Sequence, residues 1–216
     1  MQIQFISKSL IAVLLATQLS ACGILAVGGV AAGASVMADR RTPGVQAIDN
    51  GIELQANAAL SKKFGDNAHI NVTSFNQKVL LTGEAKDADI KGEADAYVKA
   101  MKNARTVFNE IVIGPNSTYT ARANDSYLES KIKTQMIFTD KLPSNSMSIV
   151  AEGTSVYLMG ILTQNEADLA KKVASNTNGV KDVYVYFDII SDTEKNRLEK
   201  QGKADESQPN SPPKFQ

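Results

Sequence analysis

Val79-Leu80-Leu81-Thr82-Gly83 recurs later in the chain as Val156-Tyr157-Leu158-Met159-Gly160, and each apolar run ends in glycine. The two copies lie about 76 residues apart, and similarity at a fixed offset indicates a repeated structural unit. Another short apolar run starts thirteen residues before each glycine, at Ile70-Asn71-Val72 in the first copy and Met147-Ser148-Ile149 in the second. Each copy is therefore predicted to form a pair of β-strands joined by a short polar turn.

Helical patterns flank the paired strands in both copies. Before the strands, apolar residues recur at i, i+4 and i+8, which is the spacing of one helical face. These residues are Ile52, Ala56 and Leu60 in the first copy and Leu128, Ile132 and Met136 in the second. Asp49 and Asp125 come just before these stripes and are predicted to cap the helices at their N-termini. A second helix is predicted after each glycine, over residues 87–104 and 165–177.

An alternating run closes each copy and predicts a third strand with one buried face. The alternating residues are Val107, Asn109, Ile111 and Ile113 in the first copy and Val183, Val185, Phe187 and Ile189 in the second. Each copy is therefore predicted as helix–strand–strand–helix–strand. Two helices are expected to cover one face of a three-stranded mixed sheet, which is an α+β fold. A linker around Gly114–Ser117 separates the copies, because Pro115 would stop a continuing strand.

The N-terminus carries the pattern of a secretory leader. A charged segment ends at Lys8, an apolar stretch runs from Leu10 to Leu19, and Leu19-Ser20-Ala21-Cys22 places small residues before the only cysteine. This arrangement resembles the bacterial lipobox, in which the cysteine after the cleavage point carries diacylglycerol and an acyl chain such as palmitate. The pattern predicts a signal peptide over residues 1–21 and lipidation of Cys22. The alternatives are a secretory leader with an unlipidated cysteine, and an uncleaved transmembrane anchor.

Segments of small or polar residues border the two copies. Residues 22–44 are rich in Gly and Ala and are predicted to form a flexible tether between the lipid and the first domain. Arg40 and Arg41 near its end are expected either to meet anionic headgroups or to be ordinary solvated charges. Residues 193–216 are rich in Glu, Lys, Gln, Ser and Pro, and we predict a disordered tail after a short helical extension through Lys200.

The composition argues against several classes of function. The 216 residues carry no formal net charge, which gives no sign of a nucleic-acid binder. The single cysteine leaves no disulfide framework or thiolate metal site, and the single histidine, His69, lies at the start of a predicted strand. Carboxylate pairs on the helices are two residues apart and do not face each other. We therefore expect no catalytic residue, metal or cofactor, and the chain is not predicted to be an enzyme.

The repeated unit resembles the BON domain, a small α+β module of bacterial envelope proteins. Its hallmark is a strand that ends in glycine, a helix, and a Gly-Val-x-x-Val motif before the last strand. The second copy has this motif as Gly179-Val180-Lys181-Asp182-Val183, whereas the first copy has Asn103-Ala104-Arg105-Thr106-Val107 there. With the lipobox and the tether, the two copies resemble the dual BON-domain outer-membrane lipoproteins. Further segments that carry this resemblance are Ile70–Thr73, Lys78–Leu81, Phe108–Ile111 and Asn124–Ser126.

The resemblance implies an organisation in six parts and a location. The parts are a signal peptide (1–21), a lipidated tether (22–44), BON domain 1 (45–114), a linker (115–123), BON domain 2 (124–192) and a polar tail (193–216). The protein is expected to be anchored by lipid in the outer membrane, on its periplasmic face. Gly23 follows Cys22 where aspartate would favour the inner membrane in enterobacteria-like sorting, so this residue agrees with the outer membrane.

The predicted helix Asp125–Ile137 at the start of domain 2 carries the candidate binding residues. Tyr127, Ser130, Lys131 and Thr134 fall on one face by helical spacing. A tyrosine ring with its polar tip suits a membrane interface, and lysines extend their ammonium groups towards phosphate. From the residues alone, an ordinary amphipathic helix with solvated lysines is the alternative.

The resemblance implies that this helix binds anionic phospholipid such as phosphatidylglycerol. Tyr127 stands where a family member carries tryptophan, which keeps an amphipathic aromatic ring at the position. The full set of predicted phospholipid-binding residues is Tyr127, Leu128, Ser130, Lys131, Lys133 and Thr134.

Three functions follow from these observations. The first, implied by the resemblance, is a lipid-anchored protein that binds anionic phospholipid through BON domain 2, supports outer-membrane integrity and gathers at division sites. The second is an interaction scaffold for envelope assembly machinery or for regulators of cell-wall hydrolases, without lipid contact beyond the anchor. The third is an enzyme, which the residues do not favour.

Overall fold

The computed structural model describes residues 39–206. The predicted signal peptide, the predicted lipidation site Cys22, most of the predicted tether and the end of the predicted tail (207–216) lie outside the described residues. Within the described part of the chain, no helix is both long and apolar enough to cross a membrane.

The first domain consists of two helices and one mixed sheet. Its elements are α1 (Pro43–Phe64), β1 (Ala68–Phe75), β2 (Lys78–Ala85), α2 (Ala88–Lys99), β3 (Thr106–Asn109) and β4 (Val112–Ile113). Strand β1 pairs antiparallel with β2, while β3 and β4 both pair parallel with β2. β3 and β4 keep the same register against β2, so they are two pieces of the predicted third strand.

The second domain repeats this order. Its elements are α3 (Tyr119–Ile137), β5 (Met147–Glu152), β6 (Ser155–Leu162), α4 (Gln164–Ser175) and β7 (Asp182–Ile189). Strand β5 pairs antiparallel and β7 pairs parallel with the central strand β6. The predicted α+β class, with two helices and a mixed sheet in each copy, is confirmed.

Each domain has its own core between its helices and one face of its sheet. The repeated apolar residues of the first helix and the central strand fill these cores, because the helical stripe and the strand face each other. The buried residues include Ile52, Leu60, Val79 and Leu81 in domain 1 and Ile132, Met136, Val156 and Leu158 in domain 2.

The other faces of the two sheets share a third buried cluster. Along β2, Leu80 alternates with its core neighbours and so points away from the helices. The buried members are Phe75 and Leu80 from domain 1 and Val150, Tyr157, Met159 and Ile161 from domain 2. Phe108 and Tyr186 stack beside them, with ring centroids 4.1 Å apart. The layers therefore run helices, sheet, sheet, helices, which explains why the central strands are apolar at consecutive positions.

Both repeated runs end in glycine because a neighbouring strand approaches closely there. Gly83 has a φ of +99°, and a Cβ atom at this position would stand 2.0 Å from the carbonyl oxygen of His69. At Gly160, a Cβ would stand 2.9 Å from the carbonyl oxygen of Ser146. Any side chain would therefore displace the backbone of the paired strand.

The first helix of each domain begins earlier than predicted. Thr42 caps α1 and Thr118 caps α3, and their hydroxyl oxygens accept the amides of Val45 and Ala121. The prediction that Asp49 and Asp125 are N-caps is therefore wrong. The first turns of both helices lie outside the buried cores, so they give no periodic signal from which the helix start can be predicted.

Asp49 and Asp125 instead hold the hairpin turns of their own sheets. The buried carboxylate of Asp49 accepts the amides of Asn76 at 2.8 Å and Gln77 at 2.7 Å. Asp125 accepts the amide of Gly153 at 3.0 Å in the equivalent turn of domain 2. The aspartate recurs in both copies because each turn needs an acceptor on the helix beneath it.

Arg40 is buried, so neither expectation for this residue holds. Its guanidinium donates to both carboxylate oxygens of Glu166, at 2.7 and 2.9 Å, and to Glu199 at 2.8 Å. Lys195 also pairs with Glu166, at 2.8 Å. Burial alone would raise the pKa of Glu166, but the hydrogen bonds from Arg40 and Lys195 hold it at about 2.

Arg41 is tied to domain 1 in the same way. It donates to Asp39 and, at 2.9 Å, to Asp49, and its guanidinium lies 3.9 Å from the centroid of the Phe75 ring. The two arginines therefore bind different domains, Arg40 the second and Arg41 the first. The expectation that they meet headgroups or are solvated is wrong, because both side chains pair with carboxylates in the folded part. Glu166 is 126 residues from Arg40, whereas the partners of Arg41 are two and eight residues away.

The tail also differs from its prediction. Helix α5 spans Asp192–Glu206, where the sequence predicts disorder after a short extension through Lys200. Lys195 and Glu199 of this helix contact the buried pair of Arg40 and Glu166. Composition alone does not show these contacts, which is why the sequence predicts a shorter helix than the structure has.

Candidate functional site

Helix α3 places the predicted binding residues on two different faces. Its inner face buries Leu128, Ile132 and Met136 in the core of domain 2. Leu128 is only 7% exposed, so its inclusion among the phospholipid-binding residues is wrong. The predicted spacing was right for Tyr127, which is 70% exposed, and Ser130 and Thr134 are exposed as well.

An aromatic stripe runs along the outer face of α3 and continues just past its end. Tyr119 is 88% exposed, Tyr127 70%, Phe138 77% and Ile137 38%. By the 100° turn of each residue, all four lie within about 100° of one another around the helix axis. The sequence analysis missed Tyr119, Ile137 and Phe138. These three residues could have been found from their helical spacing relative to Tyr127, which places them on the side opposite the core stripe.

The hydroxyl groups of Ser130 and Thr134, which lie beside the stripe, are already bound by the backbone of the helix. Ser130 Oγ donates to the carbonyl oxygen of Ser126 at 2.9 Å, and Thr134 Oγ1 donates to that of Ser130 at 2.8 Å. Such bonds to the preceding turn are common for helical serine and threonine. These two residues therefore offer oxygen lone pairs and methyl or methylene surface, and not a free donor, to a ligand.

The two predicted lysines behave differently. Lys133 is half-buried and its ammonium donates to the carbonyl oxygen of Ser144; burial lowers its pKa, which the charge of Asp39 partly offsets. This lysine points towards the protein and not towards a ligand on the stripe. Lys131 donates to the carbonyl oxygen of Asn178 at 2.9 Å in an exposed position, so its ammonium lies at the border of the stripe.

Arg122 provides a second cation, on the other border of the stripe. Its guanidinium lies 5.4 Å from the centroid of the Tyr119 ring and donates to the carbonyl oxygen of Ser117 at 2.9 Å. Helical spacing puts Arg122 and Lys131 on opposite flanks of the aromatic residues. Apolar rings between two cations form a surface that suits a boundary between hydrocarbon and phosphate.

A half-buried carboxyl group lies at the contact between the domains. Burial, and then the charges of Glu84 and Asp125, raise the pKa of Glu152 to about 7. Asn71 of domain 1 donates to Glu152 at 3.5 Å. Within the described residues, no three Asp, Glu, His or Cys side chains are placed to hold a metal ion.

Comparison with known proteins identifies the repeated unit. A model of the BON domain family matches residues 54–115 and 124–190. Outer membrane lipoprotein DolP of Haemophilus influenzae is 30% identical over 174 residues, which cover 80% of this chain and 90% of that protein. The 21 kDa hemolysin of Actinobacillus pleuropneumoniae is 29% identical over 154 residues, which cover 70% of this chain and 79% of that protein.

A solved structure of CdsD, a structural protein of the type III secretion system of Chlamydia trachomatis, aligns over 67% of this chain and 96% of its own length. Its sequence identity is 10% and its TM-score is 0.29. The two BON matches coincide with the two repeated domains, and DolP matches across both of them. The chain therefore belongs to the BON-domain family, as a DolP-like outer-membrane lipoprotein of the bacterial envelope.

Proposed function

We propose that this protein binds anionic phospholipid membranes through the aromatic stripe of α3, while a lipid on Cys22 anchors it to the periplasmic face of the outer membrane. Its role is to support outer-membrane integrity, and it gathers at division sites where the lipid surface suits the stripe. The observation that carries the proposal is the exposure of Tyr119, Tyr127 and Phe138 on one side of a helix whose other side is fully buried.

Exposed aromatic rings in such a row are unusual for a surface in contact with water alone. An aromatic side chain covers roughly 150–250 Å² when it is buried, so three rings give a substantial apolar area. Scattered apolar residues need no explanation, so the alignment of three exposed rings on one face of the helix is what supports a binding surface. The tyrosine hydroxyls suit the polar side of a membrane interface, where ring and tip meet different surroundings.

Charge supports an anionic lipid over a neutral one. Lys131 and Arg122 flank the stripe, and a cation near an anionic membrane contributes about 1 kcal/mol. The whole chain is neutral, so the attraction depends on these local cations and weakens when salt screens them.

The position of Asp39, where the described chain begins, supports an orientation in which α3 faces the membrane. Asp39 acts electrostatically on Lys133 of α3, so the chain enters the folded part near this helix. Arg40 then fixes the segment to domain 2 through Glu166. A lipid anchor leading to this point would hold α3 close to the membrane, and two weak attachments together give stable binding.

Vesicle flotation tests the proposal. The chain from Ser35 to Gln216 keeps Arg40 in place and lacks Cys22, so any binding comes from the protein surface. We expect it to float with phosphatidylglycerol vesicles at low salt and not with phosphatidylcholine vesicles. Replacing Tyr127 with Ala should clearly reduce flotation.

Leu54 provides the matched control for this experiment. It is an equally exposed apolar residue, on α1 of domain 1, and Leu54→Ala should leave flotation unchanged. If the unchanged chain fails to float at low salt, or if Tyr127→Ala floats as well as the unchanged chain, the membrane proposal is wrong.

A protein-interaction scaffold is the second candidate function. Domain 1 exposes Leu54 on α1 together with Val112 and Ile113 on β4, and these apolar residues have no role in the lipid proposal. A scaffold for envelope assembly machinery or cell-wall hydrolase regulation would use such exposed apolar residues. Under this alternative, Val112→Asp with Ile113→Asp would impair function while Tyr127→Ala would not.

A further inference from the structure

Strand β7 forms an open edge of the second sheet. The strand order is β5-β6-β7, and β7 continues without interruption from Asp182 to Ile189. Within the described residues, no strand pairs with its outer side. Val185 and Ile189 are exposed apolar residues on this strand, and Tyr184 is exposed while its ring stacks on Tyr157. A long apolar edge without proline is a template for further strand pairing.

The ladder shows which peptide groups face outwards. The amide of Ile190 donates to the carbonyl oxygen of Leu162 at 2.9 Å, so the even-numbered residues direct their peptide groups towards β6. Peptide groups alternate in direction along a strand. The amides and carbonyl groups of Val183, Val185 and Phe187 therefore point away from the sheet.

The equivalent edge of domain 1 is interrupted by its own side chains. Asn109 Oδ1 accepts the amide of Ile111 at 3.2 Å, and Lys91 donates to the carbonyl oxygen of Ile111 at 2.6 Å. Ile111 corresponds to Phe187 at the offset of 76 residues, and these bonds divide the third strand of domain 1 into β3 and β4. In domain 2, β7 continues through Phe187, so its edge is longer than that of domain 1.

Only one end of the β7 edge is covered. Lys78 of domain 1 donates to the carbonyl oxygen of Phe187 at 3.2 Å and pairs with Asp188 at 2.7 Å. Among the described residues, the outward amides and carbonyl groups of Val183 and Val185 have no hydrogen-bond partner.

We propose that the β7 edge, centred on Val183 and Val185, binds an extended segment of another protein by β-strand addition. The backbone of that segment pairs with the outward amides and carbonyl groups, and its apolar side chains alternate across the two sides of the sheet, beside Tyr184 and Val185. A lysine or arginine in the segment faces Asp182, whose carboxylate is exposed. This surface is independent of the stripe on α3.

A second copy of this chain fits the edge less well. Twofold pairing centred on Val185 would set Val183 opposite Phe187, whose carbonyl group is already bound by Lys78. It would also set Asp182 opposite Asp188 in both halves of the pair, and like charges in directly opposed positions are destabilising. A single extended segment needs only the open end of the strand.

Amide hydrogen exchange, followed by NMR, tests the proposal. We use the full mature chain with Cys22→Ser and a short synthetic peptide of alternating valine and threonine with a lysine at each end. In the free protein, the amides of Val183 and Val185 should exchange quickly, while those of Tyr184 and Tyr186 exchange slowly. The peptide should slow Val183 and Val185 by about tenfold or more, since their amides enter hydrogen bonds.

Two variants at one position separate backbone pairing from side-chain packing. Val185→Pro removes one outward amide and should abolish peptide protection at Val183, whereas Val185→Thr keeps that amide and a branched side chain and should retain it. The proposal is overturned if Val183 and Val185 exchange as slowly as Tyr184 in the free protein, or if the peptide changes no rate. It is also overturned if the two variants behave alike.

Discussion

Helices α1 and α3 hold the same place in the two domains and differ on the side that faces solvent. Both bury apolar residues at a spacing of four, four residues in α1 and three in α3, against the first strands of their sheets. On the outer face, α3 carries Tyr127 and Phe138 where α1 has Gly51 and Lys62 at the equivalent positions. The core requires apolar residues on the inner face of both helices, so the fold does not explain why their outer faces differ. Exposed aromatic rings reduce solubility, and their presence on one helix alone therefore indicates binding.

The two edge strands differ in the same sense. Asn109 and Lys91 bind the peptide groups of Ile111 and interrupt the edge strand of domain 1, whereas β7 of domain 2 is continuous. Domain 2 thus presents both candidate binding surfaces. Duplication of one fold has allowed one copy to keep an interrupted edge strand and the other to keep a continuous one.

The largest effect is expected at the glycine that the two copies share, because its backbone conformation differs between them. Gly83→Ala must adopt a positive φ and displace the carbonyl group of His69, so we expect it to lower the free energy of unfolding by about 3 kcal/mol or more. Gly160→Ala has no such φ and should cost about 1–2 kcal/mol, through the contact with Ser146. Urea denaturation measures both. Equal losses would show that the two glycines have the same role.

The paired aspartates should also differ in their effect. Asp49 is buried and receives hydrogen bonds from Ser74, Asn76, Gln77 and Arg41, so Asp49→Ala should cost about 3 kcal/mol because four donors lose a partner. Asp125 receives one bond, in a more exposed turn, and Asp125→Ala should cost less than about 1 kcal/mol. Thermal unfolding compares the two variants. If Asp125→Ala proves as damaging as Asp49→Ala, the turns are held by other contacts.

Much of this fold was predictable because the core imposes periodic patterns. The helical stripe at Leu128 and the run ending at Gly83 each report a local geometry, and both were located from spacing alone. Long-range charge pairs carry no such pattern. Arg40 lies in a segment that resembles a tether, and its partner Glu166 is 126 residues away, so only the folded chain shows that it is buried.

The candidate site was predictable in part for the same reason. Spacing placed Tyr127 on an outer face correctly, but it did not reveal that Lys133 turns back to the carbonyl group of Ser144. Phe138 lies just beyond the predicted helix end, so a search confined to that helix could not include it. Side-chain direction and helix ends are decided by packing, which a single sequence does not display.

Exchanging the outer face of α3 for that of α1 tests whether the aromatic residues account for the difference in binding. Tyr127→Gly combined with Phe138→Lys gives α3 the α1 residues at these positions. We expect the affinity for phosphatidylglycerol vesicles to fall by about thirtyfold, a net loss of roughly 2 kcal/mol. The lost apolar contact of two rings exceeds the roughly 1 kcal/mol that the added lysine gains at an anionic surface.

The glycine also weakens the helix, so its cost must be measured apart from membrane binding. Tyr127→Ala with Phe138→Lys serves as the control, because alanine preserves the helix. Titration of vesicles monitored by light scattering measures both variants, with circular dichroism to compare their helix content. Unchanged affinity in the alanine variant would show that the contact with lipid lies elsewhere.

The smallest expected effect concerns the contact between the domains, where Glu152 of domain 2 approaches Glu84 of domain 1. Burial and these neighbouring charges raise the pKa of Glu152 to about 7 in the folded protein, compared with the usual 4.5. Between pH 4.5 and pH 7 the folded state therefore keeps a proton on Glu152 that the unfolded chain has released. Stability from this group is therefore full below pH 4.5 and is lost as the pH rises through about 7.

Glu152→Gln removes this loss and should stabilise the protein at pH 8 by about 1 kcal/mol, after allowance for solvent screening. Urea denaturation between pH 5 and pH 8 measures the difference, with the exposed Glu93→Gln as a control of equal charge. A parallel pH dependence in Glu152→Gln and the unchanged protein would mean that the domains adjust to the charge without loss of stability.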